Sequence, residues 1–249
     1  MKKFQIADLA KIIKAHPQQA ASPDSFTGVS TDSRSIQPGD CFFAIAGDNF
    51  DGHDYVPGVF AKGAACAVVS RDIDPAGNCL LKVNDTTKAL GDFAAEYRRL
   101  MNFKVIAITG SVGKTTVRQI LYHVLSRHYR VYQSPKNFNN QIGLPLTLLG
   151  ADPDHQIVIA ELGTNHPGEI AHLTRIAQPN IAVVTSVHPA HLEGFGNVSA
   201  IAKEKLSISQ GLPPDGVLII NAEALTTYHL ALRMTRPCWG AVRNLRSKN

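Results

Sequence analysis

Residues 107–116 read AITGSVGKTT, and the reading of the fold turns on them. Immediately upstream, Val105, Ile106, Ala107 and Ile108 form a short apolar run rich in β-branched residues, as in a buried strand of a parallel sheet. Downstream, Val117, Ile120, Leu121 and Val124 recur at helical spacing, so the glycines join a strand to a helix. The usual phosphate-loop pattern, G-x-x-x-x-G-K-S/T, would need glycine where this chain has Ile108. What stands here is a shorter version, Gly110-Ser111-Val112-Gly113-Lys114-Thr115-Thr116. The physics survives the shortening. Glycines let backbone N–H groups converge on an anion, the helix N-terminus adds partial positive charge, and Lys114 adds a full one. Thr115 offers a hydroxyl to the magnesium that accompanies nucleotide phosphates. The competing reading is an ordinary glycine turn with a solvated Lys114, which G-K-T-T directly after an apolar strand argues against.

With 249 residues and 44% hydrophobic content, the chain is long enough for two domains with cores of their own. The net charge of +5 would suggest nucleic acid, but its placement does not. Arg233, Arg236, Arg243, Arg246 and Lys248 stand against Glu223 alone, so four of the five net charges lie in the tail and no nucleic-acid partner is expected. Cys41, Cys66, Cys79 and Cys238 are scattered without C-x-x-C spacing, which suits a reduced, cytoplasmic protein. Asp8, Lys11 and Lys14 interrupt the apolar core that a signal peptide would need, and no stretch approaches a membrane span. Membrane insertion is not expected, and a monomer is.

Two α/β blocks follow from a pass along the chain. Residues 1–84 hold an amphipathic helix near Ile6 to Ala15 and strand-like runs at Cys41 to Ile45, Ala65 to Val69 and Leu80 to Val83, with turn-rich segments between. Residues 85–103 read as a connecting helix, Thr86 to Leu100, and linker, with Leu90, Phe93, Ala94 and Tyr97 on one face. Residues 104–222 open with the strand at Val105 and add strands at Ile157 to Ala160, Ile181 to Thr185 and Val217 to Ile220. Strand and helix in alternation imply a parallel sheet with helices on both faces.

Glu161 closes an apolar strand in IVIAELGTNHPGEI, at the edge where open parallel sheets place ligands. A carboxylate there suits Mg²⁺; taken alone it would more often be a solvated strand end. His188 and His191 follow the next apolar strand in SVHPAHLEGFG, either as surface residues or, beside the loop and Glu161, as metal ligands. Composition alone assigns Lys203 and Lys205 of SAIAKEKLSI to a solvated helix face.

Taken in order, TGSVGKTT, NFNNQIGLPLTLL, ELGTNHPGEI, HLEGFG and AKEKLSI resemble the Mur ligases, ATP-dependent amide-forming enzymes of peptidoglycan synthesis. STDSRSIQPGDCFFAIAGDNFDGHDYV resembles the uridine-nucleotide-binding domain of the same family. The resemblance covers about residues 25 to 222. It implies a small N-terminal domain that binds a UDP-linked substrate, followed by a phosphate-loop central domain. Within the family these stretches are most similar to the branch that joins D-alanyl-D-alanine to UDP-N-acetylmuramoyl-tripeptide, which would be the partners.

The resemblance also implies roles. Lys114 and the loop from Gly110 to Thr116, with Asn140, would hold ATP; Asn139 and Asn140 match a family motif near the phosphates. Thr115 and Glu161 would hold one Mg²⁺, and His191 with Lys205, carboxylated on its amine, a second. CO₂ addition would turn that lysine into a long-armed anionic ligand, so Lys114, Lys205 and His191 are the candidate catalytic residues. Ser33, Arg34, Asp51, Gly52 and His53 would face the uridine and diphosphate. Read without the family, DSR is merely a turn.

Family members continue past this point with further central strands and a C-terminal domain that binds the incoming amine. Here the resemblance ends at Asn221, and residues 223–249 form a basic tail with the only Trp. Such a switch is what a misjoined reading frame produces, although an extended loop looks similar. The expectation is a truncated ligase with an open sheet edge; the alternative is a non-catalytic remnant that still binds nucleotide or UDP-sugar. A phosphate-loop kinase or GTPase is disfavoured by Ile108.

Overall fold

The computed structural model describes residues 1–17, 23–135, 137–189 and 195–221. Two expectations lie outside them: the role of His191, and the tail 223–249. The chain divides into two compact units, residues 1–101 with 148–153, and residues 102–147 with those from 154 onward.

In the first unit the strands are β1 (Phe4–Gln5), β2 (His16–Pro17), β3 (Ser25–Phe26), β4 (Gly28–Ser30), β5 (Asp40–Phe43), β6 (Cys66–Val69) and β7 (Leu80–Lys82). The helices are α1 (Ile6–Ile12), α2 (Val56–Ala61) and α3 (Thr86–Leu100). A five-stranded sheet runs in the order β2-β7-β6-β5-β4, parallel except for β2. Cys66 to Val69 is buried throughout because an interior parallel strand has both faces covered. Ile36, Phe42, Ala44, Val56, Val59, Ala67, Val69 and Leu80 form the core on one side.

Helix α3, expected as a connector, is counted with the first unit. Asp85 caps it by accepting the Lys88 N–H, and its buried face, Leu90, Phe93, Ala94 and Tyr97, matches the expected stripe. Phe93 meets Phe4 and Phe26 edge-on at centroid distances of 5.1 and 5.8 Å. The Tyr97 hydroxyl donates to the Ala151 carbonyl at 2.8 Å, which helps attach 148–153 to this unit. Cys41, Cys66 and Cys79 are buried and unpaired; burial, then Cys66, pushes the Cys41 thiol well up, so it packs as a small apolar group.

The second unit is a five-stranded parallel sheet of β8 (Lys104–Thr109), β9 (Val131–Gln133), β10 (Ile157–Glu161), β11 (Ile181–Val184) and β12 (Val217–Ile220), in the order β12-β11-β8-β10-β9. Its helices are α4 (Lys114–Leu125), α5 (Gly143–Leu149), α6 (Glu169–Ala177) and α7 (Val198–Leu206). The chain leaves β8 toward β9 and later returns to β11 on β8's other side. The ends of β8, β10 and β11 therefore flank a topological switch point, where open α/β sheets bind ligands.

The apolar stripe of α4 differs from the expected one. Val117, Leu121, Tyr122 and Leu125 pack on Ile106, Ile108 and Ile159, whereas Ile120 and Val124 are 56% and 57% exposed. The stripe follows i, i+4, i+8 from Val117, and Arg118 beside it is buried, which turns Ile120 and Val124 outward. On β12, Val217 and Ile219 are exposed and stand in register with Ile181 and Val183, an uncovered apolar strip among the described residues.

Candidate functional site

The phosphate loop spans the turn from β8 to α4. Gly110 has φ +151° and Gly113 φ +88°, backbone that L side chains avoid. A Cβ on Gly110 would stand 2.0 Å from Thr185 Oγ1, so close approach as well as φ requires glycine. The segment after β11 clamps the loop. The Ser111 N–H donates to the Ser186 carbonyl at 2.9 Å and the Val112 N–H to Ser186 Oγ at 3.1 Å. The Thr185 hydroxyl donates to the Val112 carbonyl at 2.6 Å, and the His188 N–H to Ser111 Oγ at 3.1 Å. Sequence reading missed Thr185 and Ser186, whose only signal is a pair of hydroxyls directly after an apolar strand. It is the backbone of His188 that serves the loop.

Lys114 starts α4 and donates from Nζ to the Gly110 carbonyl at 2.8 Å, which holds the amine over the loop. Burial lowers its pKa and the charge of Glu161 opposes the shift. One residue on, the Thr115 hydroxyl donates to Glu161 Oε2 at 3.2 Å. Glu161 pairs with Ile108 across the ladder and is only 2% exposed, so it is no solvated strand end. Its other oxygen, Oε1, lies 3.1 Å from Arg118 Nε. A hydroxyl and a carboxylate oxygen side by side are hard donors of the kind Mg²⁺ takes along with phosphates and water, so this pair fits the ion.

Lys205, read from composition as solvated, is 4% exposed on α7. Burial, with the charge of Lys114 beside it, brings its pKa down to about 8, and Glu204 pulls the other way. The structure therefore brings Lys114, Thr115, Glu161 and Lys205 to one edge of the sheet. As an ammonium Lys205 binds no metal; its lowered pKa makes the free amine that CO₂ requires accessible near neutrality. Glu204, also missed, accepts the Gly168 and Ile170 N–H groups, both at 2.7 Å, and ties the loop before α6 to α7.

A cleft of about 740 Å³ opens beside these groups, lined by Lys114, Asn139, Asn140, Thr164, Glu169 and His172 among others. Asn140 Oδ1 accepts the Ile142 and Gly143 N–H groups at 3.2 and 2.9 Å, so that oxygen caps α5 and only the amide faces a ligand. Burial raises the Glu169 pKa, but the N–H groups of Asn165 and His166 outweigh it and hold the carboxyl below its usual range.

In the first unit, Ser33, Arg34 and Gly52 line a separate cleft of about 400 Å³ with Thr31, Phe50 and Tyr55. Arg34 grips Asp32 through Nε at 2.9 Å and Nη2 at 2.7 Å, which pushes the Asp32 carboxyl down to about 2. Gly52 is required by close approach, since a Cβ would meet the Ile45 nitrogen at 2.8 Å. His53, expected to face the uridine and diphosphate, is engaged within the fold. It is 3% exposed, with Nδ1 2.5 Å from Asp51 Oδ1, while Nε2 accepts the Ser70 N–H at 2.9 Å. Both ring nitrogens are engaged internally, so His53 braces the turn. Asp51 is drawn into the same brace and pairs with Arg71 at 2.9 Å. Phe50, 74% exposed, and Tyr55 are aromatic surfaces of this cleft that sequence reading passed over.

Residues 25–98 match the model of the Mur ligase family, catalytic domain, and residues 108–241 that of the Mur ligase middle domain, which runs on beyond Asn221. The UDP-N-acetylmuramoyl-tripeptide–D-alanyl-D-alanine ligase of Bacillus subtilis is 38% identical over 216 residues, 86% of this chain and 47% of the relative. The protein of the same name from Escherichia coli is 41% identical over 195 residues, 78% of this chain and 43% of the relative. Among solved structures, MurF from Acinetobacter baumannii superposes with a TM-score of 0.83 at 36% identity, over 88% of this chain and 49% of that one. MurF ligase from Thermotoga maritima in complex with ADP gives 0.74 at 31% identity, over 80% of this chain and 47% of that one. The chain thus spans about half the length of the relatives it matches.

Proposed function

This chain belongs to the Mur ligase family, and from that premise we propose that it carries the UDP-substrate and ATP sites of a ligase joining D-alanyl-D-alanine to UDP-N-acetylmuramoyl-tripeptide. The observation that carries the reading is the constellation of Lys114, Thr115 and buried Glu161 around a glycine loop with positive φ at the sheet's switch point. The name shared by its relatives supplies the substrates. The reaction would run in the cytoplasm, where nucleotide-linked precursors and ATP meet, and we infer a monomer.

In this reading Lys114 and the loop N–H groups other than those of Ser111 and Val112, which Ser186 occupies, hold the ATP phosphates, and Lys114 offsets the charge that develops as a substrate carboxylate attacks the γ-phosphorus. The bond from that phosphorus to the β–γ bridging oxygen breaks, ADP leaves, and an acyl phosphate forms. The free amine of D-alanyl-D-alanine then attacks the acyl carbon, phosphate departs and the amine gives up a proton. Thr115 and Glu161 would hold Mg²⁺, which supplies charge neutralisation on the phosphates. Lys205, carboxylated, would join His191 at a second ion. Arg34, Ser33 and Gly52, beside Phe50 and Tyr55, would take the diphosphate and uracil.

The test is binding of Mg·ATP and of UDP-N-acetylmuramoyl-tripeptide to the purified chain, followed by phosphate release and amide formation with D-alanyl-D-alanine, beside Lys114→Ala. Binding of both ligands, with the ATP signal lost in the variant, supports the reading, and product supports the full activity. Failure of a folded sample to bind either ligand overturns it.

A further inference from the structure

Arg118 is a charged residue in the packed side of a helix, and nothing in the reaction above uses it. It sits one turn after Lys114, so the two project along the same side of α4. It is 4% exposed, and its Nε lies 3.1 Å from Glu161 Oε1. Its Nη1 donates to the Ser134 carbonyl, and Ser134 Oγ in turn accepts the Glu161 N–H at 3.2 Å. The guanidinium and the backbone of Glu161 are thus fixed to the same residue of the chain. Glu161 Oε1 lies in the ion pair with Arg118, and Oε2 accepts the Thr115 hydroxyl.

Two cations, Lys114 and Arg118, act on this one carboxylate. A bare divalent ion arriving at Glu161 meets a carboxylate already neutralised and a guanidinium that cannot deprotonate or swing away. Nucleotide phosphates reverse the sign of the local field and make the same position attractive. We propose that Arg118 is a positioning residue that makes divalent-ion binding at Thr115 and Glu161 conditional on nucleotide: its charge, fixed beside the carboxylate, repels the ion when phosphates are absent. The inference rests on the Mg·nucleotide reading of the loop.

The test is Mn²⁺ titration of the purified chain by electron paramagnetic resonance, with and without ADP, in wild type, Arg118→Met and Arg118→Lys. Wild type should bind Mn²⁺ at least about tenfold more tightly with ADP than without, the scale of one charge several ångströms away at intermediate dielectric. Arg118→Met should gain nucleotide-free Mn²⁺ binding about tenfold and show a larger thermal shift with Mn²⁺ than wild type. Arg118→Lys should keep most of the wild-type coupling. Tight Mn²⁺ binding by nucleotide-free wild type overturns the inference even if Arg118→Met fails to fold, and so does an unchanged nucleotide-free affinity in a folded Arg118→Met. A wild type that binds no Mn²⁺·ADP at all overturns the nucleotide reading instead.

Discussion

Lys205 is a residue whose chemistry departs from its type. An ordinary lysine presents little free amine until near pH 10.5; here burial and Lys114 bring half-titration to about pH 8. The amine that attacks CO₂ must be unprotonated, so ¹³CO₂-labelled protein should show a carbamate resonance that grows from pH 7 to pH 9 and is absent in Lys205→Arg. A signal flat across that range would remove the carboxylated-lysine role. The linkage has a definite sign. The folded chain holds its Lys205 proton less tightly than the unfolded one, so this group's contribution to stability rises with pH between about 8 and 10.5. His53 makes the opposite kind of prediction. With both nitrogens bonded inside the first unit, His53→Ala should cost about 1–3 kcal/mol in urea denaturation by leaving the Ser70 N–H unpaired and taking one partner from Asp51. Loss of UDP binding with no loss of stability would instead restore His53 as a contact residue.

Elements were legible where their pattern was long or their chemistry local. The fifteen residues of α3 carry a full amphipathic repeat, and both its ends match the expected ones. β9 has three residues, and β1, β2 and β3 two each, too few for any period to register. The phosphate loop could be read because glycine, lysine and threonine at that spacing leave few other uses. The buried Lys205 and Glu204 could not, because AIAKEKL has the composition of a solvated helix and only the packing of α7 buries its charges. Helix α4 was read one position out of phase, which yields a direct test. Ile120→Ala should change stability by no more than about 0.5 kcal/mol, while Leu121→Ala should cost about 2 kcal/mol by opening a gap over Ile106, Ile108 and Ile159. Equal costs in chemical denaturation would mean the stripe faces as its periodicity suggested.

At the scale of the whole chain, two chemistries are kept in two units. The first offers a guanidinium, a serine and two exposed aromatic rings around about 400 Å³; the second offers a glycine loop, a lysine and a buried carboxylate beside about 740 Å³. In the reading proposed above, each set suits one kind of nucleotide. A uracil diphosphate asks for a stacking face and a fork of N–H donors, while an ATP tail asks for converging backbone N–H groups and a metal. Among the described residues, none of the lining groups of either cleft belongs to the other unit. Substitutions should therefore separate the two affinities. Lys114→Ala should weaken Mg·ATP binding by tenfold or more, a loss of about 1.4 kcal/mol, and leave the UDP affinity within twofold. Phe50→Ala with Arg34→Ala should do the reverse, because stacking and a charge-assisted hydrogen bond each contribute about 1 kcal/mol or more. Isothermal titration of each variant with UDP and with Mg·ATP checks both halves at once. If Phe50→Ala with Arg34→Ala left UDP binding intact while Lys114→Ala abolished it, the UDP signal would belong to the phosphate loop, and the first cleft would lose its assignment.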